Sequence, residues 1–121
     1  MRRVIWLDPG RPGQAFPPAE LARTEPNGLL AAGGDLSRER LLRAYRQGIF
    51  PWYDIGQPIL WWSPEPRAIL LPNRFRLHRS LRKVLRHKPL SVRFDQDFTR
   101  VMQACGAPEH GRSHSWIMPE M

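Results

Sequence analysis

Cysteine is almost missing from this chain of 121 residues, where Cys105 stands alone. A single thiol excludes an internal disulfide and fits a reducing compartment. Lysine is nearly as scarce: Lys83 and Lys88 are the only two among 19 basic residues. No apolar run approaches the length of a membrane span. No phosphate-cradling glycine loop of either common pattern occurs, and no internal repeat. The opening MRRVIWLDPG meets Asp8 and Pro9 after four apolar positions, too few for a signal-peptide core. These absences lead us to expect a cytoplasmic protein with no membrane segment.

What is present is arginine, proline and tryptophan. Basic residues outnumber the 11 acidic ones, for a net charge of +8. Arginine suits planar, bidentate contact with phosphate and carboxylate, so the balance points to a polyanion, most often nucleic acid. The alternative is charge that serves solubility alone. Hydrophobic residues make up 41%, enough for a core, and the length fits one ordinary domain. Thirteen prolines and nine glycines imply short elements with many breaks. The densest stretch, Gly48 to Arg67, reads GIFPWYDIGQPILWWSPEPR and holds three of the five tryptophans. Its prolines stiffen the backbone that carries the rings. A stiff frame of this kind can present an indole to a flat ligand or fill a small core, and rings alone do not separate the two.

Taken in order, residues 4–7 read as a strand stopped by Asp8-Pro9-Gly10. A proline-rich connector follows, with one helical turn at residues 19–23 and a turn at Pro26-Asn27-Gly28. Leu29 to Ala32 is a short apolar run broken by Gly33-Gly34. Ser37 is placed as an N-cap for a helix over residues 38–47, expected to bury Leu41, Leu42, Ala44 and Tyr45 and to end at a left-handed Gly48. Residues 59–62 and 68–71 are expected strands. Residues 77–87 are the cleanest helix: Leu77, Leu81, Val84 and Leu85 share one side, while Arg79, Arg82, Lys83 and Arg86 share the other. Leu90 to Phe94 alternates as a half-buried strand. A helix capped by Asp95 or Asp97 follows, with Phe98, Val101, Met102 and Cys105 facing a core, and Pro119 starts another. The mixture argues an α+β chain.

No catalytic constellation stands out. Cys105, His110 and His114 lie close in sequence but lack a suitably spaced fourth ligand, so no metal is expected. Asp35, Asp54 and Glu65 could each act as a base, and surface solvation is the plain alternative. Two features carry more. The helical ridge of Arg79, Arg82, Lys83 and Arg86 contains no acid, so each cation is free to neutralise a phosphate; a solvated helix face is the alternative. Among the tryptophans, adjacent Trp61 and Trp62 must point to opposite faces of a strand, one of them toward the core. Trp52, between Pro51 and Tyr53, and Trp116, after a polar loop, are the better candidates for stacking on a base.

The run EPNGLLAAGGDLSRERLLRAYRQGIFPWYDIGQPILWWSPEPRAIL, from Glu25 to Leu70, closely resembles the leucyl/phenylalanyl-tRNA–protein transferase family. PNGLLAAGGDLS, FPW and WWSP are its most specific blocks and stand in the family's order. The resemblance continues through HRSLRKVLR, FDQDF and the final SWIMPEM. It implies a cytoplasmic aminoacyltransferase that needs no metal or ATP. Such an enzyme moves leucine or phenylalanine from its tRNA to the N-terminal arginine or lysine of an acceptor protein, marking it for N-end-rule degradation. The implied fold is a small N-terminal α/β domain, here residues 1–66, followed by the start of an acetyltransferase-like domain in residues 67–121. By the resemblance, Trp52 and Trp116 match the tryptophans associated with the 3′-terminal adenosine, and the helix with Arg79, Lys83 and Arg86 matches the acceptor-stem cluster. Ser115 replaces the usual threonine. The family chain is about twice this length, and the acidic and glutamine residues proposed for its reaction lie beyond Met121. No catalytic residue is therefore assigned here, and the expectation is a truncated product or fragment that binds weakly without catalysing. A catalytically inert tRNA-binding module and a peptide-binding adaptor are the alternatives.

Overall fold

The computed structural model describes residues 3–107 together with Ser115 and Ile117. The described chain is α+β, with a four-stranded sheet and three α-helices. The strands are β1 (Ile5–Leu7), β2 (Leu29–Gly33), β3 (Phe50–Pro51) and β4 (Leu60–Trp62), in the sheet order β1-β2-β4-β3. β1 runs parallel to β2, and the β2–β4 and β4–β3 pairs are antiparallel. The helices are α1 (Arg38–Arg46), α2 (Arg79–His87) and α3 (Phe98–Gly106).

β2 is buried along nearly its whole length because it is central and apolar throughout. Its small Ala31 sits opposite Trp61 of β4 and leaves room for the indole. Trp61 is fully buried, packs edge-on to Phe16 at 4.9 Å between ring centroids, and donates its indole N–H to the Gly33 carbonyl at 2.9 Å. Leu7, Leu30, Ala44 and Ile49 complete this core. Its residues come from every part of the first half, so that half closes on itself.

α1 starts as its sequence implies. The Ser37 hydroxyl accepts the Arg40 N–H, and the Asp35 carboxylate accepts the Ser37 N–H at 2.8 Å. Gly48 ends the helix at φ +69°. The buried face is different from the expected one. Ala44 is buried and Leu41 half-buried, but Leu42 and Tyr45 are exposed and Arg40 is fully buried. A charged residue can occupy the inner face because its head is paired: Arg40 bonds Asp35 at 3.0 Å and the Asp8 and Arg11 carbonyls at 2.8 Å each.

The second half departs further. Residues 68–71 and 90–94 form no strand; both are exposed and pair with nothing in the sheet. α2 and α3 form close to where periodicity puts them, yet neither is packed against the sheet or against the other to any extent. The apolar side of α2 is therefore uncovered, with Leu81, Val84 and Leu85 exposed, and Cys105 of α3 is exposed rather than packed. Asp97 is the α3 N-cap residue, but its carboxylate pairs with Arg100 instead of a helix N–H. The helix expected from Pro119 lies outside the described residues.

Candidate nucleic-acid interface

Trp52 follows directly on β3. Pro51 is buried opposite Trp61, and the next residue turns outward. The Trp52 N–H donates to the Leu60 carbonyl at 2.9 Å, and its own carbonyl accepts the Trp62 indole N–H at 2.6 Å. The backbone of Trp52 is thus held on both sides by β4. Its ring is 52% exposed and stands 6.4 Å from the Trp62 ring, tilted by 55°. Trp61 and Trp62 divide as alternation requires, one buried and one half-exposed.

Two further contacts hold this frame. The Arg67 guanidinium lies 5.7 Å from the Phe50 ring centre and donates to the carbonyls of Gly48 and Pro64. It ties the end of α1 to the segment after β4. Asn27 donates its amide to the Glu65 carbonyl at 2.9 Å and accepts the Glu65 N–H at 3.3 Å. Beside it, Gly28 at φ +92° lies so close to Pro64 that a Cβ would stand 2.5 Å from the Pro64 Cα. The sequence blocks PNG and WWSP are two sides of one joint. Nothing in composition marked Arg67, Phe50 or Asn27 as framework residues; a proline-rich loop needing backbone partners was the available signal.

The ridge on α2 is as its periodicity implies. Arg79, Arg82, Lys83 and Arg86, joined by His87, line one continuous surface and are exposed. None of the four cations pairs with a carboxylate among the described residues. The basic character reaches beyond the helix. Residues 67–94 contain no Asp or Glu, and Arg74, Arg76, Lys88 and Arg93 are exposed as well. Arg79 also stands in the first turn of α2, against the positive end of the helix dipole, where an anion would be favoured. Trp52 belongs to the sheet half and the ridge to α2, which is not packed on that sheet. Trp116 lies outside the described residues.

The candidate bases are otherwise engaged or solvated. Burial pushes the Asp35 carboxyl up, but hydrogen bonds from Ser37 and Arg40 and the Arg40 charge outweigh it and hold the group below its ordinary value. Asp35 is committed to Arg40. Asp54 and Glu65 are exposed. Among the described residues no three His, Cys, Asp or Glu side chains gather as a metal site, and no helix is long and apolar enough to cross a membrane.

Against known families, residues 34–65 match the leucyl/phenylalanyl-tRNA protein transferase N-terminal domain, and residues 69–121 match the leucyl/phenylalanyl-tRNA protein transferase model. The chain belongs to the leucyl/phenylalanyl-tRNA–protein transferase family. Proteins of that name agree closely with it. The one from Azoarcus sp. (strain BH72) is 61% identical over 118 residues, covering 98% of this chain and 49% of the relative. That from Azotobacter vinelandii is 58% identical over 111 residues, 92% of this chain and 49% of the relative. That from Alkalilimnicola ehrlichii is 54% identical over all 121 residues, 47% of the relative. The chain spans about half the length of the curated relatives it matches. The N-terminal transferase match contains α1, β3 and β4, and hence Trp52; the second contains α2 and α3.

Proposed function

We propose that this chain is the tRNA-holding half of an aminoacyltransferase that moves leucine or phenylalanine from aminoacyl-tRNA to an N-terminal arginine or lysine of an acceptor protein. The product would be an N-end-rule degradation tag made in the cytoplasm. On this reading residues 1–66 are the N-terminal domain and residues 67–121 begin an acetyltransferase-like domain. Arg79, Arg82, Lys83 and Arg86 neutralise acceptor-stem phosphates, while Trp52 and Trp116 stack on the terminal adenosine. The observation that carries the reading is the acid-free basic stretch of residues 67–94, with four cations on one face of α2 that pair with no carboxylate among the described residues. Phosphate contacts of this type position an RNA without reading its sequence, as a transferase serving several tRNAs requires.

The reaction is aminolysis of an activated ester. The α-amine nitrogen of the acceptor attacks the ester carbonyl carbon, the carbon–oxygen bond to the tRNA ribose breaks, and an amide forms. The amine loses a proton and the ribose hydroxyl gains one. Because the ester is already activated, alignment supplies much of the acceleration; well-oriented reactants gain roughly 7–11 kcal/mol. Trp52, Trp116 and the ridge fix the ester's position in this scheme. Selection of leucine or phenylalanine needs an apolar pocket, and no residue here is assigned to it or to proton transfer. The 121 residues by themselves therefore bind charged tRNA weakly and form no product.

Two measurements test this. Mixing the chain with charged Leu-tRNA and an Arg-initiated peptide should give no product; product formation refutes the inert-half reading. Replacing Arg79, Lys83 and Arg86 with Ala should weaken tRNA binding and flatten its salt dependence, by a slope of about 2–3 in log K against log salt for three lost phosphate contacts. An unchanged slope removes the ridge from the interface.

A further inference from the structure

Trp52 lies where a chain is ordinarily loose. It follows the last residue of β3, at the edge of the sheet, and the chain after it turns through solvent. Residues 54–58 are all exposed; the Gln57 N–H donates to the Asp54 carbonyl at 3.0 Å, and Gly56 takes a φ of +82°. Trp62 lies where the chain is firm. β4 is an interior strand, and Trp62 is in register with Leu29 of β2 on one side and Phe50 of β3 on the other. The Phe50–Trp62 and Pro51–Trp61 pairs bring Trp52 opposite Leu60, whose carbonyl accepts the Trp52 N–H at 2.9 Å. Trp62 is then the diagonal neighbour of Trp52 on the outward face, since the buried Trp61 points the other way. An indole has a single donor. Trp62 commits its own to the Trp52 carbonyl at 2.6 Å, and its ring flanks the Trp52 ring at 6.4 Å.

We propose that Trp62 is a positioning residue: it presets the Trp52 indole for the 3′-terminal base of the aminoacyl-tRNA without stacking on that base itself. This rests on the stacking role proposed for Trp52 and adds what makes that role effective. The N–H and the carbonyl of Trp52 are both anchored to β4, one by the strand backbone and one by a side chain. A ring hung on a fixed backbone, with a second ring beside it, has few rotamers left to lose. Ordering a rotamer-rich side chain on binding costs affinity. Here folding has already imposed that order before the nucleic acid arrives. The adjacent tryptophans of the WWSP block thus act differently: Trp61 fills the core, and Trp62 steadies the ring that faces the ligand. The donor and the ring of Trp62 are separable, because phenylalanine at the same place keeps a ring and has no N–H.

The test is a double-mutant cycle on the 121-residue chain, read by equilibrium binding of charged Leu-tRNA. Trp62→Phe should weaken binding about three- to tenfold, less than Trp52→Ala does, because it loosens the ring without removing it. In the Trp52→Ala background Trp62→Phe should cause no further loss. With tRNA lacking its 3′-terminal adenosine it should cause none either. In the chain without RNA, the order parameter of the Trp52 indole N–H should fall from the rigid range, about 0.85, to below about 0.6 in Trp62→Phe. Hydrogen exchange of the Leu30 and Ala31 amides should be unchanged, since Trp62 is no part of their core. A benzothiophene isostere of the Trp62 indole, equal in shape and without the N–H, should behave as Trp62→Phe; binding like wild type would refute the hydrogen bond as the device. A loss that persists in the Trp52→Ala background, or on the shortened tRNA, gives Trp62 a role of its own and overturns the proposal. If Trp52→Ala weakens binding and Trp62→Phe does not, the positioning fails and the stacking reading stands. If Trp52→Ala has no effect on Leu-tRNA binding, the stacking reading fails and the positioning falls with it.

Discussion

Arg40 offers the sharpest test of how the first half is held together. Its guanidinium is fully buried and donates from Nη2 to the carbonyls of Asp8 and Arg11 at 2.8 Å each and to Asp35 at 3.0 Å, and from Nε to Asp35 at 3.2 Å. It therefore joins the end of β1, the connector and the start of α1. Arg40→Met keeps the aliphatic stem and removes the head, leaving two carbonyls and a carboxylate without their donor. Breaking a buried ion pair by removing one partner costs about 3–5 kcal/mol. The lower end applies here, because the Asp35 side chain is 25% exposed and Arg40 Nη1 is buried with no partner among the described residues. We expect a loss of about 3 kcal/mol, measured by urea unfolding followed through tryptophan fluorescence. The effect should depend on pH. Asp35 is held below its ordinary value in the fold, so the folded state binds fewer protons than the unfolded state as that range is approached. The stabilisation is present above the ordinary carboxylate range and is lost as pH falls through the lowered value. The gap between wild type and variant should close on acidification. A loss under about 1 kcal/mol at neutral pH, or a gap that widens in acid, would refute the clasp.

The joint between the PNG and WWSP blocks makes a steric prediction: Gly28→Ala should destabilise the fold by more than about 2 kcal/mol, from positive φ and collision with Pro64 together. An unchanged melting temperature would contradict the close approach. Trp52→Ala should leave stability nearly intact, since the ring is half exposed, but should weaken binding of charged tRNA by roughly 1–3 kcal/mol in a gel-shift assay. With tRNA lacking its 3′-terminal adenosine the difference should vanish; a difference that persists would assign Trp52 some other role.

Local chemistry was legible in the residues themselves. Ser37 as a cap, Gly48 as a left-handed stop, the opposite orientations of Trp61 and Trp62, and the cationic ridge of α2 all follow from side-chain type and period, which act over a few residues. The family followed from PNGLLAAGGDLS, FPW and WWSP. Tertiary structure decided what periodicity cannot weigh. Arg40 went inside and Tyr45 outside because two distant carbonyls and Asp35 were in reach of a guanidinium, and a pattern of apolar positions does not count such partners. Residues 68–71 and 90–94 alternate or cluster like strands, but a strand exists only where another strand accepts its hydrogen bonds. Among the described residues none does. Sequence sets what each segment is able to become, and the presence or absence of a neighbouring surface sets whether it does.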